Sequence, residues 1–354
     1  MTRLVLAALA AVIALVAGEP ARAQQKTQAT QLLAVGIQLS AIREFVAKGL
    51  GFYDEEGIDI QLVPAPGSAT EIQFMTAGRG TLGSIDMHMV VQQRTAPGGL
   101  KMRAVFSNLQ AGVYRIGMLE ESPIRAPADI KGKKIGVPTK ASGSFDFVRT
   151  VAKLAGVQES DMEVIPVGFG PAAADAVTRK RIDALSTVFP DSNNLRYLAE
   201  TQHQFKYREL KVPQNAWPTN AMMITDDEAK NKRPMITGML RAFAKGHVFV
   251  VENPRAALLV AKKLYPELVR DDDIERQLTF VKWSLDEAYD MPQHKALPIG
   301  AFDMKAWEGT ERYYKDAGLI GPNDKVADAI DSSFIADINN FDKERIRKMA
   351  REYK

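Results

Sequence analysis

Five short stretches of this chain, 38–42, 67–69, 85–88, 142–145 and 189–192, put polar or aromatic side chains where a strand should hand over to a helix, and 217–220 adds a sixth. The residues there that could touch a small molecule are Gln38, Ser40 and Ile42, then Ser68 and Ala69, then Asp86, Met87 and His88. Further along come Ser142, Ser144 and Phe145, then Phe189 and Asp191, and finally Trp217 and Asn220. Helix N-termini expose free backbone N–H groups and partial positive charge, so such places favour a carboxylate, a sulfonate or a polarised carbonyl. That chemistry is recognition. No Gly-x-Ser-x-Gly, His-Glu-x-x-His or Walker loop occurs, which argues against an enzyme. His88, His203, His247 and His294 are too scattered to read as a metal cluster. Without a single cysteine there is no thiolate metal site, Cys nucleophile or disulfide framework. The reading therefore includes no metal and no cofactor.

Each candidate also has a plainer reading. Ser40, Ser68, Ser142 and Ser144 serve equally well as N-caps. Asp86 can accept from a ligand or cap the helix after it. A lone histidine such as His88 is more often satisfied or solvated than a ligand group. Trp217 can stack on a flat solute or seal a hinge, and Phe145 and Phe189 share that ambiguity. Arg43 falls on a helix flank and reads as solvated. With no arginine inside the five loops, a mixed apolar and polar organic solute fits better than a doubly charged or bare inorganic ion. Replacing Trp217 or Asp86 by alanine is expected to weaken binding and spare the fold.

The elements that must hold these loops repeat one rhythm. Residues 58–86 read as strand, Gly/Pro loop, short helix and strand, and residues 162–188 read the same way. Each is a βαβ unit, the builder of parallel sheets whose ligand sites lie at strand C-terminal ends. Before the first unit, 32–37 is an apolar run of strand length, followed by a helix capped at Ser40 with Ile42, Phe45 and Val46 on one face. Ser68 should cap a helix through Ala77, and Gly156 should close another that ends near Leu154. Strands are expected at 81–84, 100–105 and 113–119, and 131–134 reads as a turn entering a strand. From Asp226 onward the pattern is helical, at 234–251, 254–264, 273–283, 303–317 and 331–339. The class is α/β.

The N-terminus reads as an export signal: Arg3, an unbroken apolar run over 4–17, and Ala21-Arg22-Ala23, with cleavage expected after Ala23. The run is shorter than the roughly 20 residues needed to cross a bilayer. Removing residues 1–23 takes Arg3, Arg22 and Glu19 and lowers the net charge from +3 to +2. Positive and negative residues are interspersed, without the basic stripe of a nucleic-acid binder.

Four motifs carry a family resemblance. They are Phe45-Val-Ala-Lys-Gly-Leu-Gly-Phe-Tyr-Asp-Glu-Glu-Gly-Ile-Asp-Ile, Gly67-Ser68 with Ala77-Gly78, Ile130-Lys-Gly-Lys-Lys-Ile-Gly-Val-Pro, and Arg181-Ile-Asp-Ala184. In this order they resemble periplasmic substrate-binding proteins of ABC importers, in the nitrate/sulfonate/taurine group, whose fold is shared with a thiamine-precursor branch. The last motif has Arg181 where that group usually has glycine. The resemblance implies a bilobal Venus-flytrap fold with a helical C-terminal extension. Its first lobe is 30–110 plus 221–354, its second 111–220, with crossovers near 109–113 and 217–222. It also implies a periplasmic monomer that captures a small organic solute (sulfonate, carboxylate, pyrimidine or aromatic) and delivers it to an inner-membrane ABC permease, with ligand contacts on the loops named above. A secreted enzyme on the same scaffold and a sensing module for a membrane receptor are the alternatives. The cysteine-rich motif of an enzyme-like member of the thiamine-precursor branch is missing here.

Overall fold

The computed structural model describes residues 26–202, 205–213, 217–291 and 295–354; the expected export signal at 1–23 lies outside them, as do His203 and His294. Strand β1 (Thr27–Leu33) lies parallel to β2 (Ile58–Pro64), paired from Thr27 opposite Ile58 to Leu33 opposite Pro64. Helix α1 (Ile42–Gly49) joins them, followed by a short helical turn at Phe52–Glu55. Then come α2 (Ser68–Thr76), β3 (Gly83–Asp86), α3 (Met87–Thr95) and β4 (Met102–Phe106). The chain continues through β5 (Tyr114–Leu119), β6 (Lys134–Val137), α4 (Gly143–Leu154), β7 (Glu163–Pro166), α5 (Pro171–Thr178), β8 (Ala184–Val188), α6 (Phe189–Gln202) and β9 (Tyr207–Glu209). After β10 (Asn220–Thr225) the longer helices are α7 (Arg233–Glu252), α8 (Pro254–Leu264), α9 (Ile274–Ser284), α10 (Met304–Asp316) and α11 (Lys343–Glu352).

Two sheets result, built on one plan. In the second, the order is β7-β6-β8-β5-β9, with β5 antiparallel to both its neighbours. In the first, β3-β10-β4 joins β2-β1 through a parallel bridge between Gln31 and Leu82, giving β2-β1-β3-β10-β4. Here β10 is the antiparallel strand. The chain builds β1 to β4 of the first lobe, then all five strands of the second, and returns to the first for β10, so two connections, 107–113 and 210–219, run between the sheets. The expected bilobal α/β fold is present.

Strand β1 begins five residues before the apolar run at 32–37. Its first half is polar, yet Gln31 is buried, because its amide is bonded at both ends to Tyr53 and Glu44. After Leu33 the chain turns away, with Gly36 at φ 78°. Helix α1 packs against α7 and α8, and α7 also packs against α11. Phe45, Val46 and Ala47 are fully buried there. A phenylalanine buried to that degree contributes about 2–3 kcal/mol. Lys245 on α7 reaches Glu55 at 2.8 Å and Glu56 at 2.7 Å, so its buried charge is paired. Helix α10 buries Trp307, Tyr313 and Tyr314 with Ile85, Met87 and Met223 of the first lobe. Helix α9 packs both on α8 and on α6 of the second lobe, where Tyr197 meets Phe280 at 5.6 Å. The expected helix at 331–339 is split into a 3₁₀ turn, Ser332–Phe334, and a single α-turn, Ile335–Ile338. Among the described residues no helix is long and apolar enough to cross a membrane.

Candidate ligand-binding cleft

Between the two sheets lies a pocket of about 890 Å³, part of it open to solvent. The first lobe lines it with Gln31, Ser40, Arg43, Glu44, Ser68, Ser84 and Asn108, and Asn220, the first residue of β10, stands where the chain returns to that lobe. The second contributes Val113, Tyr114, Ser142, Gly143, Ser144, Phe169, Val188 and Phe189, and Tyr289 closes one side. These residues sit where strands β1, β3, β6 and β8 deliver the chain to helices, as the βαβ rule requires.

The lobes meet closely. Asp86, at the end of β3, accepts hydrogen bonds from the Ser68 hydroxyl at 3.0 Å and from the Tyr114 hydroxyl of the second lobe at 2.6 Å. The Asp86 N–H in turn donates to Ser68 Oγ at 3.0 Å. Burial raises the Asp86 carboxyl above its usual range, while His88 and the two hydroxyls pull it back. His88 faces Asp146 of α4 at 3.5 Å. Lys153 on α4 donates to the Ala317 carbonyl at 2.9 Å. Glycine is required at two contact points. A side chain on Gly67 would collide with the Ala141 carbonyl, and one on Gly143 would overlap the Asp86 carboxylate and the Tyr114 hydroxyl.

Several polar atoms around this pocket are buried and have no partner: Ser40 Oγ, Arg43 Nε, Glu44 Oε2, Asn108 Oδ1, Ser142 Oγ and Ser144 Oγ. Buried polar groups in folded proteins are almost always bonded, and each one left unbonded costs about 1–3 kcal/mol. Six residues that line one space each keep such an atom, a concentration of unspent hydrogen-bonding capacity around the pocket. Ser142 and Ser144 flank the start of the 12-residue helix α4, and Ser142, Gly143 and Ser144 all line the pocket.

The candidates from the sequence divide sharply. Ser40, Ser68, Ser142, Ser144, Phe189 and Asn220 line the pocket. Gln38 and Ile42 line an adjoining groove that shares Ser40, Phe169 and Tyr289 with it. Ala69 is part of neither lining. Asp86 stands one layer behind Ser68. Met87 is buried in the core beside Tyr314, and His88 lies edge-on to that ring at 5.3 Å. Phe145 turns away from the pocket, under the Arg149 guanidinium. Trp217 packs on Gly309 and Tyr313 and is not part of the pocket lining. Asp191 lies in the first turn of α6, and its side chain is outside the described residues. Among the serines, neither Ser40 nor Ser68 is an N-cap. Gln38 precedes the 3₁₀ turn Leu39–Ala41, Ala41 caps α1, and Gly67 caps α2. Ser142 does occupy the cap position of α4, but its hydroxyl makes no cap bond.

Arg43 overturns the solvated reading. It is 3% exposed, with its guanidinium 3.7 Å from the Tyr289 ring centre and 4.7 Å from that of Phe243, and Nη1 bonded to the Asn108 carbonyl at 2.9 Å. Gln31, Glu44, Asn108, Tyr114, Phe169 and Tyr289 also line the pocket without having been expected there. The adjacent charges at 43 and 44, directly after a candidate loop, were the available signal. Nothing local marks Tyr289, nearly 250 residues downstream. Among the described residues no group of histidines and carboxylates could hold a metal ion.

The sequence matches the family described as NMT1/THI5 like over residues 39–257. A formylaminopyrimidine-binding protein of Halalkalibacterium halodurans is 23% identical over 271 residues, 75% of this chain and 77% of that one. The alkanesulfonate-binding protein SsuA of Xanthomonas axonopodis pv. citri, solved bound to MOPS, superposes at TM-score 0.59 with 16% identity, covering 90% of this chain and 100% of SsuA. The desulfurization enzyme DSZB superposes at TM-score 0.54 with 13% identity, over 89% and 99% of the two chains. At these identities the structural likenesses speak for the fold alone, the periplasmic-binding-protein architecture. The family match, which spans more than half of the residues, goes further: this chain belongs to the NMT1/THI5-like family.

Proposed function

We propose that this chain is the solute-binding component of an ABC importer, taking a small organic solute into the cleft between its lobes in the periplasm and presenting it to a permease. The observation that carries this reading is one inter-lobe pocket whose lining includes six residues with a buried, unpartnered polar atom. The names of the pyrimidine- and sulfonate-binding proteins above are consistent with it. The lobes are 30–110 with 221–354, and 111–220, and they open about the two connections between the sheets. Ser40, Ser68, Ser142, Ser144, Phe189 and Asn220 contact the solute together with Arg43, Glu44 and Tyr289. Closure brings Tyr114 onto Asp86 and α4 onto α10, so a solute bridging both lobes selects the closed arrangement. The export signal is cut after Ala23.

The test is a thermal-shift screen of the mature chain against a metabolite panel. A bound solute raises the melting temperature, because it prefers the folded state. A panel without any binder would sink the proposal. The fold shared with DSZB keeps an enzyme as the second reading. Prolonged incubation with a binder separates the two, since product formation would favour the enzyme.

A further inference from the structure

Helix α9 runs without a break into a π-helical turn, Leu285–Tyr289, closed by the Asp290 N–H on the Leu285 carbonyl at 2.7 Å. Turns of this kind are frequent at functional sites. This one is fastened at three places. Glu287 reaches the second lobe, where its carboxylate accepts from Asn193 Nδ2 of α6 at 3.4 Å and from Arg196 Nη1 at 3.2 Å. It lines a surface pocket with Arg115, Arg196, Tyr207 and Glu209, and every other residue of that lining also belongs to the second lobe. Tyr289, two residues on, is held by the first lobe. The Arg43 guanidinium lies 3.7 Å from its ring centre, and its hydroxyl donates to the Ser40 carbonyl at 3.3 Å. Between and beyond these two comes Gln110, in the connection 107–113 that joins the sheets. Its N–H donates to the Ala288 carbonyl at 2.8 Å, and its Oε1 accepts from the Met291 N–H at 2.9 Å. One stiff turn is therefore tied to both lobes and to a segment about which they move. Tyr289 is 7% exposed and lines the main pocket and the adjoining groove. Phe189, at the start of α6, meets its ring edge-on at 5.5 Å. When the second lobe swings away, either the Glu287 bonds break or Tyr289 leaves Arg43 and Ser40. All the fastenings hold at once only in the closed arrangement.

We infer that Glu287 is a positioning residue: through the π-helical turn it couples closure of the lobes to the seating of Tyr289 against the pocket, although Glu287 itself is not part of the pocket lining. The inference rests on the solute-binding reading.

Tetranitromethane, which nitrates tyrosine rings that it can reach, tests this on the full mature chain without any solute, with the modified positions read by peptide mass spectrometry. The variants are Glu287→Gln, Arg196→Gln on the other lobe, and the two combined. Each single change should speed nitration of Tyr289 by about three- to tenfold, the size expected for local opening after loss of a partly exposed ion pair. The combined variant should do little more than the larger single one, because both remove one contact. Tyr53, 1% exposed in the core of the first lobe, should keep its rate. Equal rates at Tyr289 in all four chains overturn the inference. So does an effect of Glu287→Gln that Arg196→Gln fails to reproduce, which would confine it to the turn. So does a rise at Tyr53 in step with Tyr289, which would mean that the whole lobe has loosened. If Glu287→Gln does not fold, judged by circular dichroism, Arg196→Gln decides alone, since that side chain is 43% exposed. Failure of the underlying reading is a different result, the metabolite panel without a binder, and the nitration rates do not depend on it.

Discussion

The two lobes share a strand order but not a cleft face. Among the described residues lining the pocket, the first lobe supplies the charge, in Arg43 and Glu44, with Asp86 buried just behind. The second lobe lines it with valines, rings and the Ser142-Gly143-Ser144 turn, and contributes no charged side chain. One lobe therefore holds fixed, desolvated charges, and the other approaches with backbone, small residues and a phenol. The repeat sets the scaffold, while the segments between repeated strands carry the chemistry. Those segments are free to diverge because the sheets do not depend on them. Tyr114 is where the two faces join, donating to Asp86 at 2.6 Å.

The comparison breaks most visibly if the uncharged face is given bulk. Gly143→Ala adds a methyl group that overlaps the Asp86 carboxylate of the first lobe only when the lobes are together, while its overlap with the Tyr114 hydroxyl lies within the second lobe. The second lobe should still fold, since Gly143 has no left-handed φ, alanine suits a helix start, and the collision within the lobe is with the far end of the Tyr114 side chain, which must swing aside. Affinity for the best binder of the metabolite panel should fall by more than about 100-fold, or about 3 kcal/mol. Calorimetry measures that loss, and small-angle scattering should show the variant staying expanded with the solute present. Normal closure of Gly143→Ala would separate the Tyr114–Asp86 contact from the bound state. Asp86→Asn is the milder cut. It keeps the shape but removes the charge from a buried hydrogen bond, for a loss of about tenfold. Tyr114→Phe should cost a similar amount, and the double variant little more than either alone, because both remove one contact. Additive losses would mean the two residues act separately.

A third change sharpens the charged side of the comparison through stability. Glu71 on α2 is fully buried, accepts from the Ser84 N–H at 3.3 Å, and leaves Oε2 unpartnered. Burial, with Asp86 nearby, raises its carboxyl well above 4.5. The folded state therefore holds this proton more tightly than the unfolded chain does. Its stabilising contribution is complete below pH 4.5 and is lost as the pH rises toward the folded-state value. Glu71→Gln fixes the neutral form. The variant should melt several degrees higher than the unaltered protein at neutral pH, with the difference vanishing below pH 4.5. An equal difference at all pH values would show that packing, not the proton, is responsible.

Most of the scaffold was legible before any coordinates, because strand and helix periods are local properties. Both βαβ units, the glycine after α4 and four of the five tail helices fall where the residue types put them. Strand β1 was misplaced because half of it is polar, and only the distant partners Glu44 and Tyr53 make burial of Gln31 tolerable. The cleft was half legible for the same reason. Ser142 and Ser144 follow from their place before a helix, but the burial of Arg43 depends on Tyr289 and Phe243, which no local pattern ties to it. Trp217 went the other way, claimed by a glycine and a tyrosine on α10.

The smallest expected effect belongs to the outer inter-lobe contact. His88 Nε2 lies 3.5 Å from Asp146 Oδ2, longer than the inner Tyr114–Asp86 bond and more open to water on the Asp146 side. At that length, beyond the usual hydrogen-bond range, the pair is worth about 1 kcal/mol or less, a few-fold in affinity. His88→Gln retains a donor for Asp146 and loses the edge-on contact with Tyr314. Calorimetry on the same binder should find it within about fivefold of the unaltered protein, well short of Asp86→Asn. If His88→Gln instead matches Asp86→Asn, the His88–Asp146 contact holds the lobes together as much as the Tyr114–Asp86 bond does. The charged face of the first lobe would then act through His88, and the buried Asp86 would serve only to position Ser68.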